Sequence, residues 1–189
     1  MTEDVRVARS RRWLVEALLL LLEERPLAAI TVRALCDRAG LSRNTFYRLC
    51  SSPEALLRDH LRRELERLTG ELETVLADPS ANSLCCFFRF WEQRKPLLSV
   101  LHRQGLFSLL FDVHLNHARS DLSAPLHPPS LAEGEADYYF GWHVVSLCHM
   151  LSVWTGRGFA ERPEELAALV ERMFSPKKSR RPANCAEKV

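Results

Sequence analysis

The chain has 189 residues, of which 47% are hydrophobic and 26% are charged, with a formal net charge of +2. This length fits one or two domains, and this composition is sufficient for a buried core. No run reaches the roughly 18 uncharged apolar residues of a membrane span, and no small-residue cleavage site follows the apolar stretch 14–22. We therefore expect a cytoplasmic protein without a membrane segment or a secretion signal.

The charges are unevenly distributed along the chain. Residues 1–63 contain twelve arginines and no lysine against eight acidic residues, whereas the remainder carries fourteen basic against sixteen acidic residues. A basic front end followed by a mildly acidic remainder is typical of a DNA-contacting end joined to a separate body.

Apolar residues at helical spacing predict a first helix from about Arg9 to Glu24, which Pro26 ends. The residues before it are expected to form a loose arm. Arginine is the usual residue with which such arms read a minor groove, so Arg6 is a candidate DNA contact, as is Arg9. Solvated charges are an equally good interpretation.

Residues 30–50 predict two short helices joined by Gly40. Thr31 is a suitable N-cap for the first helix and Ser42 for the second, and a glycine directly after a helix suits positive φ. In the second helix only Phe46 and its surroundings are expected to face inward. The exposed row of guanidinium, amide, hydroxyl and phenol groups is Arg43, Asn44, Thr45, Tyr47 and Arg48.

A rigidly held short helix with outward hydrogen-bonding groups suits DNA reading, although a helical hairpin in any all-α core has the same spacing. The stretch resembles the helix-turn-helix of TetR-type transcriptional regulators, in an ungapped match. The matching residues are Thr31, Leu35, Ala39, Gly40, Leu41, Ser42, Thr45, Phe46, Tyr47, Glu54 and Leu56.

Three positions depart from the pattern of that family. Leu49 stands where the family has His, Cys50 where it has Phe, and Pro53 where it has Lys. The His and Lys of the family usually touch phosphates, so two electrostatic anchors are missing. Pro53 remains a good first helical residue, with Ser52 as its cap.

A long helix is predicted from Pro53 to about Ala77, and more helices follow: about 84–91, 95–103, 105–120, 133–156 and a last one from Pro163. The prolines of segment 123–129 indicate a loop. Aromatic side chains of this second half are expected in the core, yet aromatics also line effector cavities. The predicted ligand-binding residues are Phe87, Phe90, Trp91, Phe107, Phe111, Trp142, His143 and Leu147.

The helix 133–156 is apolar on nearly every side, and a helix without a polar face must be covered all round. A second copy of the chain is the expected cover. Trp154, the glycines at 156 and 158, and the run 163–166 (PEEL) also resemble the C-terminal domain common in TetR-type regulators of Gram-positive bacteria. That resemblance implies a homodimer formed through a four-helix bundle.

Other chemistries have weaker support. His114 and His117 are three residues apart and could share a metal, but no third ligand at fixed spacing accompanies them. The six cysteines lack zinc spacing and are expected to be reduced, mostly buried thiols, with Cys185 the most accessible for redox sensing. No nucleophile elbow or Gly-rich phosphate loop is present. We expect no enzyme, no cofactor and no metal site.

The sequence thus predicts an all-α protein of about nine helices: a DNA-binding domain at 1–51, a dimerisation and effector domain at 52–174, and a disordered basic tail at 175–189. It would be a TetR-type DNA-binding regulator, by default a repressor released by a small hydrophobic or aromatic effector. The homodimer would bind an inverted-repeat operator in double-stranded DNA through Thr31, Ser42, Arg43, Asn44, Thr45, Tyr47 and Arg48. Two alternatives remain: a regulator whose body binds a partner protein, and a metal or redox sensor.

Overall fold

The structure, a computed structural model, describes residues 5–78, 81–120 and 134–174. Within these ranges it contains nine α-helices, a 3-10 turn at Leu27–Ala29 and no strand, which confirms the all-α prediction. The helices are α1 (Val5–Glu24), α2 (Val32–Ala39), α3 (Arg43–Leu49), α4 (Pro53–Leu76), α5 (Ser83–Glu92), α6 (Lys95–Arg103), α7 (Phe107–Ser120), α8 (Glu135–Gly156) and α9 (Pro163–Phe174). The predicted loop at 123–129 and the predicted tail at 175–189, with Cys185, lie outside the described residues.

Helix α1 packs against α2, α3 and α4 and closes the N-terminal helical cluster. Its buried face includes Leu14, Leu18 and Leu22, none of which is exposed. The helix begins at Val5, four residues earlier than the sequence pattern predicts. No glycine or proline interrupts residues 5–8, so the first turn extends beyond the buried face, and these four residues of the expected loose arm are helical.

Helix α4 connects this cluster to the rest of the chain. Its start is fixed by Ser52, whose side chain accepts a hydrogen bond from the Ala55 amide, and by Pro53 in the first turn. It contacts α1, α5 and α7. Gly70 lies within the helix without interrupting it.

The aromatic side chains of α5 form much of the core of the second half. Phe88, Phe90 and Trp91 are at most 1% exposed. The Phe88 ring meets the Trp154 ring edge-on at a centroid distance of 6.1 Å. Core packing therefore accounts for most of the aromatic stretch.

One face of α8 is buried and the other is open. Val144, Leu151 and Trp154 are at most 1% exposed, whereas Trp142 is 50% and Val145 48% exposed. Among the described residues, side chains thus cover only one side of this helix. None of the described helices is long and apolar enough to cross a membrane.

Polar contacts join α1 to α6 at the far end of α1. The Gln104 side chain donates from Nε2 to the Leu22 carbonyl oxygen at 2.6 Å. Beside it, Arg103 pairs with Glu23 at 3.3 Å. These contacts connect the end of α6 to the C-terminal end of α1.

Candidate nucleic-acid interface

The turn between α2 and α3 is closed by backbone hydrogen bonds around Gly40. Gly40 has φ +65°, and its amide donates to the Asp37 carbonyl oxygen. The next amide, of Leu41, donates to Cys36 O at 3.0 Å. This pair of bonds is the Schellman arrangement, in which a left-handed residue ends the helix. The turn fixes the direction in which α3 leaves α2.

Hydroxyl groups cap both short helices, as the sequence predicts. The Ala34 amide donates to Thr31 Oγ1 at 3.1 Å, and the Thr45 amide donates to Ser42 Oγ at 3.1 Å. The hydroxyls of Ser42 and Thr45 also lie 3.0 Å apart. A hydroxyl that accepts one bond can still donate another, so these predicted contact residues hold the helices and keep hydrogen-bonding capacity.

Phe46 anchors α3 to the protein. Its side chain is fully buried, and the neighbouring Tyr47 ring lies edge-on to it at 5.4 Å while remaining 60% exposed. This confirms that Phe46 faces inward. Because α3 is only seven residues long, this single buried ring fixes which side of the helix faces out.

The outward side of α3 carries the predicted polar row. Arg43, Asn44, Tyr47 and Arg48 are all exposed. Neither arginine forms an ion pair with a carboxylate of the described residues, whereas the Arg38 guanidinium of α2 is paired with Glu24. The row thus presents two unneutralised guanidiniums, an amide and a phenol on one short helix.

The positions that depart from the family pattern have structural roles here. Leu49 and Cys50 are half-buried and pack against the core. The Cys50 amide donates to Phe46 O at 3.0 Å, and burial raises the pKa of its thiol to about 11. These side chains close the end of α3 and supply no cation for a phosphate.

The eight predicted ligand-binding residues fall into separate environments. Phe87, Phe90, Trp91 and Leu147 are buried in the core. Phe107 and Phe111 line an open groove of about 300 Å³ between α7 and α8, together with Val145, Cys148 and His149. The His143 ring lies 5.3 Å from the Tyr139 ring and 5.7 Å from the Trp142 ring, measured between ring centres.

Trp91 has a property that the sequence pattern does not reveal. Its indole Nε1 is buried and has no hydrogen-bond partner among the described residues. Buried polar groups are normally paired, so this N–H is an available donor within the body.

The two histidines considered as a metal pair have different partners. His114 is buried, with Nδ1 3.6 Å from Cys148 Sγ and its ring stacked on Phe87 at 6.5 Å. His117 Nε2 lies 2.9 Å from Thr69 Oγ1. Burial, with smaller effects of His117 and His143, lowers the pKa of His114 to about 4. Among the described residues, no group of three His, Cys, Asp or Glu side chains is placed to hold a metal ion.

The five cysteines in the described part of the chain are unbonded thiols. Cys36 and Cys148 are buried, and Cys50, Cys85 and Cys86 are half-buried. Burial raises the pKa of every one of them, in the case of Cys148 to about 12. They are therefore protonated at neutral pH, which makes them poor nucleophiles and metal ligands.

A buried ion pair was missed by the sequence analysis. Glu64 is 4% exposed on the inner side of α4, where it accepts a hydrogen bond from Arg94 Nε at 2.5 Å. The available signal was a carboxylate at an otherwise leucine-rich position of the helix, between Leu61 and Leu68. Its partner lies thirty residues further along the chain, which no local pattern identifies.

No protein-family model matches the chain, and no curated protein matches it. Solved structures do. Lin0861 from Listeria innocua has 16% identity and a TM-score of 0.76 over 92% of this chain and 93% of its own. The fatty acid degradation regulator FadR from Bacillus halodurans has 10% identity and a TM-score of 0.59 over 92% and 96%. The dihydroxyacetone kinase operon activator DhaS has 14% identity and a TM-score of 0.50 over 87% and 93%. This chain therefore shares the fold of Lin0861 and of the regulators FadR and DhaS.

Proposed function

We propose that this chain is a homodimeric, sequence-specific DNA-binding regulator of transcription that acts by binding and not by catalysis. The observation that carries the proposal is the outward face of α3, where Arg43, Asn44, Tyr47 and Arg48 are exposed on a helix fixed by a buried phenylalanine. The TetR-like fold supports it. Residues 1–51 form the DNA-binding part in this proposal, and residues 52–174 form the dimerisation and effector part.

Helix α3 enters the major groove in each half-site. Arg43 and Asn44 contact base edges, because a guanidinium suits guanine and an amide suits adenine in that groove. Thr31, Ser42, Thr45, Tyr47 and Arg48 contact phosphates, which positions the helix without specifying sequence. Two such helices in a symmetric dimer require an inverted-repeat operator.

The open side of α8 supports the dimer. Val145 and Val153 are 48% and 43% exposed, and Trp142 extends the same apolar helix. Large contiguous apolar surfaces are rare on monomers, and a two-fold axis lets one such surface cover its own copy. Residues of α8 in one subunit would therefore pack on those of the other.

An effector in the body is supported by the unpaired Trp91 indole N–H. A hydrophobic or aromatic molecule with one acceptor atom would satisfy it beside the Phe87 and Phe90 rings, which contact Trp91, whereas Phe107 and Phe111 line the separate α7–α8 groove. Helix α6 contacts both α8 and α1. A shift of α8 would therefore reach the N-terminal helices through the hydrogen bond from Gln104 to the Leu22 carbonyl oxygen. The effector acts by differential affinity for two spacings of the α3 helices. In the default mechanism the unliganded dimer represses by occluding a promoter.

The test is a selection of bound sequences from random duplex DNA, followed by salt titration of the best sequence. We expect an inverted repeat and a steep fall of affinity with salt, since several phosphates are neutralised. Arg43→Ala combined with Asn44→Ala should abolish enrichment, whereas Arg172→Gln, an exposed arginine on α9, should not.

A partner-protein role is the second candidate. Leu49 favours it, because this half-buried side chain packs against the core at the position where the TetR-type pattern has the His that touches a phosphate. No enrichment of any DNA sequence by the wild-type protein would overturn the DNA-reading proposal and favour this one.

A further inference from the structure

Two buried tryptophans of the body differ in how their indole N–H groups are satisfied. Trp154 is 1% exposed and donates from Nε1 to the Glu161 carbonyl oxygen at 2.9 Å. Trp91 is fully buried, and its Nε1 has no hydrogen-bond partner among the described residues. A buried donor without an acceptor costs free energy, which a bound acceptor atom would recover. The Trp91 N–H is therefore a polar group that an acceptor on a ligand would satisfy.

Two aromatic rings lie beside the Trp91 indole. The Phe90 ring lies edge-on to it at a centroid distance of 5.4 Å, and the Phe87 ring lies edge-on at 6.5 Å. A ring face is only a weak acceptor, so these rings do not replace an oxygen. They do supply apolar contact area. This environment suits a molecule that carries an acceptor atom on an apolar body.

The Arg94 guanidinium, which lies 3.3 Å from the centre of the Phe90 ring, is already paired. It donates to the Glu64 carboxylate and to the Phe90 carbonyl oxygen. A carboxylate bound to the Trp91 N–H would lose its hydration and gain one neutral donor. One neutral donor does not offset the cost of burying a charge, whereas an uncharged acceptor has much less hydration to lose.

Uncharged groups also lie between Trp91 and the α7–α8 groove. Cys148 lines the groove, and its Sγ lies 3.6 Å from Nδ1 of His114, whose ring stacks on Phe87. Burial raises the pKa of Cys148 to about 12 and lowers the pKa of His114 to about 4. Both side chains are therefore neutral at pH 7. A ligand that reaches Trp91 from the groove passes these two side chains, neither of which attracts an anion.

We propose that the effector is an uncharged carbonyl compound whose oxygen accepts a hydrogen bond from Trp91 Nε1 and whose apolar part packs on Phe87 and Phe90. The site discriminates against a carboxylate of the same shape. This inference rests on the proposed effector role of the body and adds the chemical class of the ligand. It does not depend on which operator α3 reads.

The experiment compares three probes that differ at one group. Acetophenone has a carbonyl, ethylbenzene lacks an acceptor, and benzoate is a carboxylate. An NMR titration of the full chain at pH 7 without DNA gives the three affinities. We expect acetophenone to bind about three- to tenfold more tightly than ethylbenzene, as one neutral hydrogen bond predicts. Benzoate should bind more weakly than both, since burial of its charge is costly.

The indole N–H signals in proton–nitrogen NMR spectra report the hydrogen bond directly. The chain has four tryptophans, and the Trp91 signal is the one that Trp91→Phe removes. Acetophenone should move the Trp91 proton signal downfield, as a new hydrogen bond does. The Trp154 signal is the reference and should stay in place, because its N–H is already bonded to the Glu161 carbonyl oxygen.

The Trp91→Phe variant tests the donor, since it keeps an aromatic ring and removes the N–H. Its affinities for acetophenone and ethylbenzene should be equal. Trp13→Phe, at a side chain that is 37% exposed, is the matched control and should keep the wild-type preference for acetophenone. Melting temperatures show whether both variants fold. If Trp91→Phe does not fold, the shift of the wild-type Trp91 signal decides the proposal.

Three results would overturn this inference. Benzoate affinity equal to that of acetophenone would refute the preference for uncharged ligands and leave an effector site at Trp91 standing. Acetophenone affinity no greater than that of ethylbenzene would refute the role of the carbonyl. If no probe moves the Trp91 signal, this inference and the proposed effector site both fail. The selection of operator DNA decides the DNA-reading proposal separately.

Discussion

Arg94 and Glu64 form a buried ion pair that joins the turn before α6 to the middle of α4. Arg94 Nε donates to Glu64 Oε2 at 2.5 Å, and the side chains are 18% and 6% exposed. The same guanidinium lies over the Phe90 ring and donates to the Phe90 carbonyl oxygen at 2.8 Å. Burial disfavours the Glu64 carboxylate, but the hydrogen bond and charge of Arg94, followed by the charges of Arg67 and His60, outweigh burial and lower its pKa.

Replacing Arg94 should therefore be costly. Arg94→Gln leaves a buried carboxylate without its main partner, which costs about 3 kcal/mol of unfolding free energy. Arg67 pairs with the same carboxylate from a side chain that is 58% exposed, so Arg67→Gln should cost less than about 1 kcal/mol. Urea unfolding at neutral pH measures both. Equal losses of unfolding free energy in the two variants would show that the burial of Arg94 does not account for the stabilisation by its pair with Glu64.

The buried His114 should make stability depend on pH. Its pKa is lowered from 6.5 to about 4 by burial, so the unfolded chain binds the proton more readily than the folded one. The stabilisation is complete above pH 6.5 and is lost as the pH falls towards 4, by about 3 kcal/mol in all.

Thermal unfolding between pH 4 and 7 tests this dependence. His114→Met, of similar size, should remove most of the slope, while the lowered pKa values of His60 and His143 keep a smaller one. His149→Gln, at an exposed position of α8, is the control and should preserve the wild-type slope. A His114 variant with an unchanged slope would contradict the assignment.

Two glycine-to-alanine substitutions should change the free energy of unfolding in opposite directions. Gly40 has φ +65° with open space around a new Cβ, so Gly40→Ala costs about 1–2 kcal/mol from backbone strain alone. Gly70 lies inside α4, also with nothing within 4 Å of a new Cβ, so Gly70→Ala stabilises by up to about 1 kcal/mol through helix propensity. Denaturant midpoints of the two variants measure the difference. A stabilising Gly40→Ala would mean that the α2–α3 turn is not the one described.

If α3 reads DNA, some of its side chains should determine which sequence is bound, and others should only hold the helix on the DNA backbone. Asn44→Ala should relax the preference at one base position of the operator by about 1–3 kcal/mol, because alanine cannot form the hydrogen bonds that an asparagine amide forms with a base edge. Tyr47→Phe should weaken binding to all sequences alike, since a phosphate contact carries no sequence information. Competition with single-base operator variants measures both. The same loss of specificity in the two variants would refute the division of roles.

If α8 forms the dimer, a charge on its open face should separate the subunits. Val145→Glu places two carboxylates near the two-fold axis, and sedimentation at micromolar concentration should show a monomer or a large loss of association. Leu20→Glu is the control, at a side chain of α1 that is 50% exposed. A wild-type sedimentation profile for the Val145 variant would locate the interface elsewhere.

The local elements were predictable because their signals are local. Thr31, Gly40 and Ser42 each act within four residues of their own position, through a cap or a left-handed turn, and the structure has each in the predicted role. The burial of Phe46 follows likewise from its spacing. The start of α1 was misjudged because its first turn lies beyond the buried apolar face that the prediction followed, with Val5 80% exposed.

The sequence by itself determined the helices, the reading-helix pattern and an apolar excess on α8, since periodicity, caps and breakers are all properties of neighbouring residues. Only the tertiary structure decided which polar and charged side chains contact one another. It brought Glu64 to Arg94, His114 to Cys148, and the arginines of α1 to those of α4, because these contacts depend on how helices distant in sequence pack together. It also divided the predicted effector aromatics between the core and the α7–α8 groove, since burial depends on the packing of neighbouring helices.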